Sequence, residues 1–370
     1  MHIVERRTQK RYSHMLCNSS RFGLSKWLMR TAGVALLIAA GAGCSQAGKK
    51  EAVSDSMVLS TLKDLLPPGR TSQQQGNGSR IVSPSVAGGQ LTYDDGDGAA
   101  ALVASVEWKP TPLLPTATAC PPRAHFPYNH CTREELPSKD VLTIDRGYND
   151  RLNVSDVERW TATLTAPDGK QVTVQEWNAA TPTSSQKSRT HPPLGNQQLT
   201  ELVSAKPWQR LLSSLKAPPS NLSAPNKPEL PKNQIQAILE KMVPSNFSLT
   251  DQDGVTGYFS VVLDDGQGKA LVTVTVQQWQ PHEPNIKQLF TRADTLPDGT
   301  KRVIRKNPAP DGASGTVQWD ADTLRKDGYR VLISELNTWA FGLPRSRQDP
   351  PLSPEQLSDI ALDPSWVTPQ

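Results

Sequence analysis

Two short segments of the chain place a carboxylate and an amide two residues apart, each near the end of a predicted strand. One holds Glu176 and Asn178, and the other holds Glu335 and Asn337. Alternation along a strand puts each Glu on the same face as the apolar residues before it, where burial would raise the pKa of its carboxyl. Such a group could act as a general acid or base. Since each segment supplies only one carboxylate, we favour a structural role, in which the acid accepts a backbone or Trp N–H.

Acidic residues also cluster at the tips of two predicted hairpins. They are Asp94, Asp95 and Asp97 at one tip and Asp264 and Asp265 at the other. Carboxylate oxygens are calcium ligands, but Asp and Gly are also the preferred residues of tight turns. Residues 251–254 resemble the start of an EF-hand loop, although Val255 and Thr256 replace its next acid and glycine. We therefore interpret the acids as turn residues and expect no metal site.

The first 43 residues resemble an export signal that ends at a lipid-attachment site. Seven basic residues precede or flank an apolar run at residues 32–43, which is shorter than the roughly 20 residues of a membrane-spanning helix. Gly41-Ala42-Gly43-Cys44 then resembles a bacterial lipobox, with Gly at a place where Leu is usual. We expect cleavage before Cys44 and its lipidation, with palmitate among the acyl groups. Ordinary secretion and an uncleaved anchor are the alternatives.

The two cysteines beyond the leader, Cys120 and Cys131, are 11 residues apart. In an oxidising extracytoplasmic compartment such a pair predicts a disulfide that closes a short loop and stabilises the fold by about 3 kcal/mol. A zinc site that adds His125 and His130 is the alternative. The spacing matches no common zinc motif, so we favour the disulfide and expect no cofactor.

The charge of the chain depends strongly on its leader. The full sequence carries 40 Lys and Arg against 36 Asp and Glu, but without residues 1–43 the balance is 33 against 35. A near-neutral mature chain lacks the basic surface that nucleic-acid binding requires. We therefore expect no nucleic-acid partner.

The chain contains two copies of one unit. Predicted hairpins with glycine-containing tips occupy residues 90–108 and 258–279, and a short amphipathic helix precedes each. A Pro-Pro-Leu motif at 192–194 and again at 350–352 is followed, at identical spacing, by Gln-Leu and later by Trp. Ser353 and Pro354 predict the start of a helix there. This agreement indicates a tandem duplication.

The duplication predicts the domain organisation: leader 1–43, tether 44–55, first module 56–215 with the Cys120/Cys131 loop, Pro-rich linker 216–233, and second module 234–370. Each module is expected to be α+β, with a mostly antiparallel sheet of about five strands and helices at its N- and C-terminal ends. We expect the linker to be a partly polyproline II spacer and the modules to be separate bodies.

Large aromatic residues recur between the copies. The repeated set is Trp108, Trp160, Trp208, Trp319 and Trp366, with Trp279 one place out of register. Tryptophans of this kind can stack on sugars, but a duplicated fold also keeps its large core side chains. We favour the core.

Several of these features together resemble one family. The lipobox, the Cys pair followed by Leu136-Pro137, the Glu-Trp-Asn segment at 176–178 and the Pro-Pro-Leu…Gln-Leu…Trp ending look like uncharacterised secreted lipoproteins of high-GC Gram-positive (actinobacterial) bacteria. This resemblance implies a location and an architecture but supplies no catalytic residue. The second copy departs from it in lacking the Cys pair.

The sequence thus predicts a lipid-anchored protein at the outer face of the cell membrane, held there through Cys44. We expect a non-catalytic binding protein with an envelope ligand or protein as partner, because no nucleophile motif, phosphate loop or dinucleotide motif is present. The alternatives are a cell-envelope hydrolase that uses Glu176 or Glu335, and a structural or sensory envelope component.

Overall fold

The computed structural model describes residues 53–77, 85–152, 154, 157–218, 230–279, 284–309 and 313–367. The predicted leader, the lipidation site at Cys44, most of the tether and the centre of the Pro-rich linker lie outside these ranges.

The first module is built on a seven-stranded sheet in the order β1-β2-β3-β7-β6-β5-β4. The helix α1 (Asp55–Leu65) precedes the sheet, and α2 (Asn196–Val203) and α3 (Pro207–Ser214) follow it. The strands are β1 (Arg70–Asn77), β2 (Val86–Asp94), β3 (Ala100–Trp108), β4 (His130–Glu135), β5 (Val141–Tyr148), β6 (Glu158–Thr165) and β7 (Lys170–Trp177). All neighbouring strands are antiparallel.

The second module repeats this arrangement in the order β8-β9-β10-β14-β13-β12-β11. The helix α4 (Lys232–Met242) precedes the sheet, α5 (Pro284–Leu289) lies within it in sequence, and α6 (Pro354–Leu362) follows it. The strands are β8 (Ser248–Val255), β9 (Tyr258–Asp264), β10 (Lys269–Gln278), β11 (Asp294–Thr295), β12 (Lys301–Pro308), β13 (Val317–Leu324) and β14 (Tyr329–Leu336).

The α+β class and the two-module layout are confirmed, but the predicted strand number is wrong, because each sheet has seven strands. The outer strands β1 and β8 escaped prediction since their Gln-, Ser- and Asp-rich sequences lack apolar alternation. An edge strand can be polar because it pairs on one side only and packs little surface against the core. The strands β4 and β11 are likewise mostly exposed.

The helices cover one face of each sheet. In the first module α1 contacts β1 and β2, while α2 contacts β6 and β7. The core beneath them holds the apolar stripe of α1 together with the inward residues of β3, Leu102, Ala104 and Val106. Their counterparts in β10 are Val272, Val274 and Val276, which are equally buried. This burial of one sheet face is what makes each module stable.

The sequence predicted one helix at each end of a module, and the structure contains two further helices. The additional helices are α3, which starts at Pro207, and the short α5. The predicted start of α6 is confirmed, since the Ser353 hydroxyl accepts the Gln356 N–H at 3.2 Å. None of the helices in the described part of the chain has both the length and the apolar character needed to cross a membrane.

The two modules are in contact, contrary to the expectation of separate bodies. Ala124 of the first module packs on the outer face of the second sheet, against Val262, Leu271 and Leu336. The Phe341 N–H donates to the Ala124 carbonyl at 2.9 Å. A spacer between the modules does not prevent this docking, because burying Ala124 on the apolar patch of the second sheet removes apolar surface from water.

Candidate functional site

The contact between the modules is made largely by residues 120–131, which we call the disulfide loop. Cys120 and Cys131 are joined with an S–S distance of 2.02 Å, which confirms the predicted disulfide. The zinc alternative is wrong, because neither sulfur is a free thiolate. Within the described ranges no group of three or more His, Cys, Asp or Glu side chains is arranged to hold a metal.

Aromatic side chains hold the disulfide loop in place. The ring of His125 stacks on that of Phe341 with centroids 4.6 Å apart, and Tyr128 meets Trp339 edge-on at 6.0 Å. Burial, with a smaller contribution from the Arg151 charge, lowers the pKa of His125, so the stacked ring is neutral near pH 7. Both partners in the second module lie just after β14.

A cavity of about 360 Å³ lies between the disulfide loop and β8 of the second module. We call it the cleft. Its walls are polar: the loop contributes Arg123, Asn129 and His130, and β8 contributes Asp251, Gln252 and Asp253. The cleft therefore exists only because the two modules dock.

The β8 wall is shaped by a bulge, where the register with β9 shifts between Thr250 and Asp253. Asp251 takes a φ of 49° in the bulge, and its carboxylate pairs with the Arg123 guanidinium across the cleft at 3.0 Å. The edge strand β1 has the same irregularity, with Gln73 at φ 46°. The bulge thus belongs to the repeated fold, whereas the acids in it are particular to the second copy.

The disulfide-loop wall of the cleft contains a buried side-chain amide whose nitrogen is hydrogen-bonded and whose oxygen has no partner in the described part of the chain. Asn129 is 8% exposed, and its Nδ2 donates to Asp145 Oδ2 at 2.8 Å. Among the described residues, neither Asn129 Oδ1 nor Asp145 Oδ1 has a hydrogen-bond partner. An unpaired buried acceptor costs about 1–3 kcal/mol. A Cβ at Gly147 would come within 2.0 Å of the Asn129 oxygen, so this unused acceptor faces the sheet of the first module and not the cleft.

The position of Asn129 is fixed by a glycine and an acid on β5. A Cβ at Gly147 would lie 2.0 Å from Asn129 Oδ1, so only glycine leaves room for this amide. Asp145 has a raised pKa because burial disfavours its charged form, although the Asn129 hydrogen bond and the Arg159 charge oppose this shift. The sheet of the first module thus positions the amide rigidly.

The predicted site acids Glu176 and Glu335 lie in the cores of the two modules. Both are 0% exposed. Glu176 Oε2 accepts the Leu194 N–H at 3.0 Å, and Glu335 Oε2 accepts the Leu352 N–H at 3.1 Å. Burial raises the pKa of each well above its ordinary value, and the backbone hydrogen bond only partly offsets this. Each acid therefore fixes the Pro-Pro-Leu segment to the sheet.

A second cavity of about 300 Å³ lies between α1 and α2, with Leu65, Leu66, Leu194 and Leu202 on its walls. Neither Glu176 nor Glu335 lines this cavity or the cleft. The structure thus does not bring the predicted acids together with a surface on which a substrate could lie.

The predicted amides Asn178 and Asn337 each join a loop to the first residue of a strand through hydrogen bonds. Asn178 Oδ1 accepts the Glu158 N–H at 2.8 Å, and its Nδ2 donates to the Thr190 carbonyl at 3.1 Å. Asn337 does the same with the Val317 N–H at 2.9 Å and the Gln348 carbonyl at 2.9 Å. Because both ends of each amide are occupied by backbone groups, these residues are structural.

The acidic hairpin tips are held by arginines that sequence reasoning overlooked. Arg189 pairs with Asp95 through two nitrogens at 2.8 and 3.2 Å, and Arg347 pairs likewise with Asp265 at 3.0 and 3.3 Å. The hydrogen bond from each arginine lowers the pKa of its partner acid. The repeated Ser-Arg pair at 188–189 and 346–347 is the signal that could have identified them.

The repeated tryptophans divide into two groups. Trp208 and Trp366 are 0% exposed, as the core interpretation predicted. Trp108, Trp160 and Trp319 are only partly buried at the edges of the two cores. A cation lies over each of these rings, namely Lys170, Arg146 and Lys306 respectively. Their rings are thus already covered by side chains of the same module.

Sequence reasoning also missed the cleft. The acids at 251–253 and the disulfide loop are visible in the sequence, but they are 120 residues apart and belong to different modules. Asn129 carries no local signal, because an Asn beside Tyr and His is typical of a loop.

No protein-family model matches this sequence, and no curated protein does. Among solved structures, the chain has 13% identity and a TM-score of 0.14 to a protein of Lactobacillus plantarum described as an oleoyl thioesterase, over 60% of this chain and 77% of that one. It has 10% identity and a TM-score of 0.15 to the MucA/MucB complex of Pseudomonas aeruginosa, over 72% and 82%. At such scores neither fold nor function is transferred.

Proposed function

We propose that this chain is a lipid-anchored, extracytoplasmic binding protein without catalytic activity, whose ligand site is the cleft between its modules. The observation that carries the proposal is a cavity of about 360 Å³ between the modules, lined by polar side chains that include Arg123, Asp251 and Gln252. A cavity of this size with a few fixed polar groups is the usual form of a small-molecule site.

The membrane anchor is supported by the sequence and by the disulfide. Gly41-Ala42-Gly43-Cys44 resembles a lipobox, and the Cys120–Cys131 bond is typical of proteins outside the cytoplasm. If Cys44 is lipidated, at most about 35 Å of extended chain separates the lipid from α1. Mass spectrometry of the mature protein is expected to find an acylated Cys44 at its N-terminus. An unmodified N-terminus elsewhere in the chain would contradict the anchor.

The hydrolase alternative has less support, because a general acid must touch its substrate. Both repeated acids instead accept backbone N–H groups in the core. A structural or sensory envelope component is the remaining alternative. It would have no ligand of its own, and the cleft would stay empty in the presence of envelope material.

Binding is tested with residues 45–370, the mature chain without its acylated Cys44, immobilised through its C-terminus. Fractions of envelope glycans, peptides and secreted proteins are passed over it, and retention is compared with that on the Gly147→Ala variant, in which the added Cβ displaces Asn129. At least one fraction is expected to be retained by the wild-type chain and to be retained more weakly by the variant. Retention of no fraction by the wild-type chain would refute the binding function.

A further inference from the structure

We propose that docking of the two modules is acid-sensitive, and that His125 of the disulfide loop is the residue whose protonation loosens the contact. The contact itself carries this device, so it does not depend on whether the cleft binds a ligand. Because the cleft exists only in the docked arrangement, acid would also open the cleft.

His125 is part of the contact between the modules. Its neighbour Ala124 is 5% exposed and packs on the apolar patch of the second sheet. The His125 ring stacks on Phe341 of the second module, with centroids 4.6 Å apart and an interplanar angle of 17°. Docking thus replaces water on one side of the imidazole by an apolar ring, which costs least when the imidazole is neutral.

The nearby charge also favours a neutral ring. Arg151 donates from Nη1 to the His125 carbonyl at 2.9 Å. Burial and, to a smaller extent, the Arg151 charge lower the pKa of His125, and among the described residues no carboxylate contributes to this shift. A protonated His125 would therefore be a partly buried cation that lies beside a second cation.

The other charged groups near the loop do not act in this way. Arg123 pairs with Asp251 of β8 at 3.0 Å, and this guanidinium is more than half exposed, in the class of ion pairs that contribute little. His130 is exposed. Asp145, which accepts from Asn129 of the loop, has a pKa that burial raises. Its protonation therefore stabilises the loop as the pH falls, which is opposite to the effect of His125.

The lowered pKa of His125 fixes the sign of the effect. A base whose pKa is lower in the docked state than in the separated state binds fewer protons when docked. The contribution of His125 to docking is therefore complete above the ordinary value of 6.5 and is lost as the pH falls below it. The equilibrium constant for opening the contact rises by at most about tenfold for each pH unit in this range.

The test follows hydrogen exchange by NMR at the Phe341 amide, which donates to the Ala124 carbonyl across the contact. The protein is the chain of residues 45–370, and each rate is corrected for the intrinsic exchange rate at that pH. Protection of this amide is expected to fall severalfold between about pH 7.5 and about pH 5. Amides in the centres of β3 and β10 should not lose protection, because the raised pKa values of Glu176 and Glu335 stabilise the modules as the pH falls.

Three variants separate His125 from a general effect of acid. His125→Phe keeps an aromatic ring on Phe341 but cannot be protonated, so its protection at Phe341 is expected to be independent of pH. His130→Phe makes the same change at an exposed histidine of the same loop and is expected to keep the wild-type pH dependence. Arg151→Gln removes a charge but keeps a donor for the His125 carbonyl, and should make the pH dependence smaller.

A measurement on the wild type alone covers the case in which His125→Phe does not dock. The ring resonances of His125, recorded in the same samples, are expected to titrate below pH 6.5 and over the range in which protection at Phe341 is lost. Titration of this ring at or above pH 6.5 would refute the proposal.

Three exchange results would also overturn it. Protection at Phe341 that is independent of pH in the wild type, or that falls equally in His125→Phe, would exclude His125 as the sensor. Stronger protection at low pH would mean that the protonated ring gains more from the face of Phe341 than it loses by burial. Equal losses at Phe341 and in the centres of β3 and β10 would show that acid unfolds the modules instead of separating them.

Discussion

Glu176 and Glu335 lie on the apolar face of their sheets, where water cannot solvate an ionised carboxylate. In the strand register Glu176 lies opposite Leu102 and Trp160, and Glu335 lies opposite Val272 and Trp319. Each acid is kept on this apolar face because it accepts the backbone N–H of a leucine that lies just before a helix. An apolar side chain would leave that buried N–H unpaired, at a cost of about 1–3 kcal/mol.

Ionisation of these buried acids should lower the free energy of unfolding as the pH rises. Because burial raises the folded-state pKa of Glu176 above the ordinary value of 4.5, its stabilising contribution is complete below that value and is lost as pH rises towards the folded-state pKa. Glu176→Gln keeps an acceptor oxygen but cannot ionise. The free energy of unfolding of this variant, relative to wild type, is therefore expected to increase as the pH rises above 4.5, by up to roughly 1.4 kcal/mol per pH unit.

Urea unfolding at several pH values measures this difference, and Glu335→Gln should behave in the same way. Glu201→Gln is the control for the loss of one carboxylate, because Glu201 is exposed on α2. A pH-independent difference for Glu176→Gln would show that the acid has an ordinary pKa in the folded state.

At the scale of single elements, α2 and α6 are equivalent helices of the two modules, and their N-terminal ends differ in one capping group. Ser353 at the N-cap of α6 both donates its N–H to Gln356 Oε1 and accepts the Gln356 N–H through its hydroxyl. Gly195 at the N-cap of α2 keeps only the first of these bonds, from its N–H to Gln198 Oε1 at 2.9 Å. The first copy thus has only half of this capping box.

Gly195→Ser is expected to stabilise the protein. The φ of Gly195 is −75°, which a serine adopts without strain, and a Cβ there would meet only Gln198 Oε1 at 3.7 Å. The new cap and the smaller entropy of the unfolded chain should together add roughly 0.5–1 kcal/mol to the free energy of unfolding. Thermal unfolding measures the gain, and Ser353→Gly should lower stability by a similar amount. A loss of stability in Gly195→Ser would contradict this account of the cap.

The edge strands explain why the elements were only partly predictable. The central strands β3 and β10 alternate between the two faces of a sheet that is covered by helices, so their sequences are rich in Val, Leu and Ala. The strands β1 and β8 carry Gln, Ser and Asp, and they are strands because a neighbouring strand offers them a hydrogen-bonding ladder. Pairing of this kind is a tertiary interaction and leaves little trace in the local sequence.

At the scale of the whole molecule, the disulfide loop links folding of the first module to docking of the second. It carries Ala124 and His125, which contact Val262 and Phe341 of the second module. Opening the Cys120–Cys131 bond should therefore loosen the docking without unfolding either sheet, because neither sheet core contains the loop.

The expected result for the Cys120→Ser, Cys131→Ser double variant is faster hydrogen exchange at the Phe341 amide, which donates to the Ala124 carbonyl. Amides in the centre of β3 and β10 should exchange as slowly as in the wild type. The loss of stability should be about 3 kcal/mol by the chain-entropy account. Hydrogen exchange followed by mass spectrometry measures both regions in one experiment. Unchanged exchange at Phe341 would show that docking does not depend on the disulfide.

The sequence alone determined the features that depend on local chemistry or on internal repetition. These are the hairpins with glycine at their tips, the amphipathic helices, the α+β class, the two-module layout and the disulfide. Each follows from a short stretch of chain, or from comparing one copy with the other, and the burial of Glu176 and Glu335 on the core face also followed from strand alternation. The leader and Cys44 stay predictions of the same kind.

Only the tertiary structure decided how these parts meet. It showed that the predicted acids and amides hydrogen-bond to backbone groups 10–20 residues away, in loops that the sequence could not place. It also docked the modules and so created the cleft, in which the disulfide loop faces a bulge 120 residues further along the chain. Long-range contacts of this kind depend on the complementary shapes of two folded modules, and no local pattern of residues encodes those shapes.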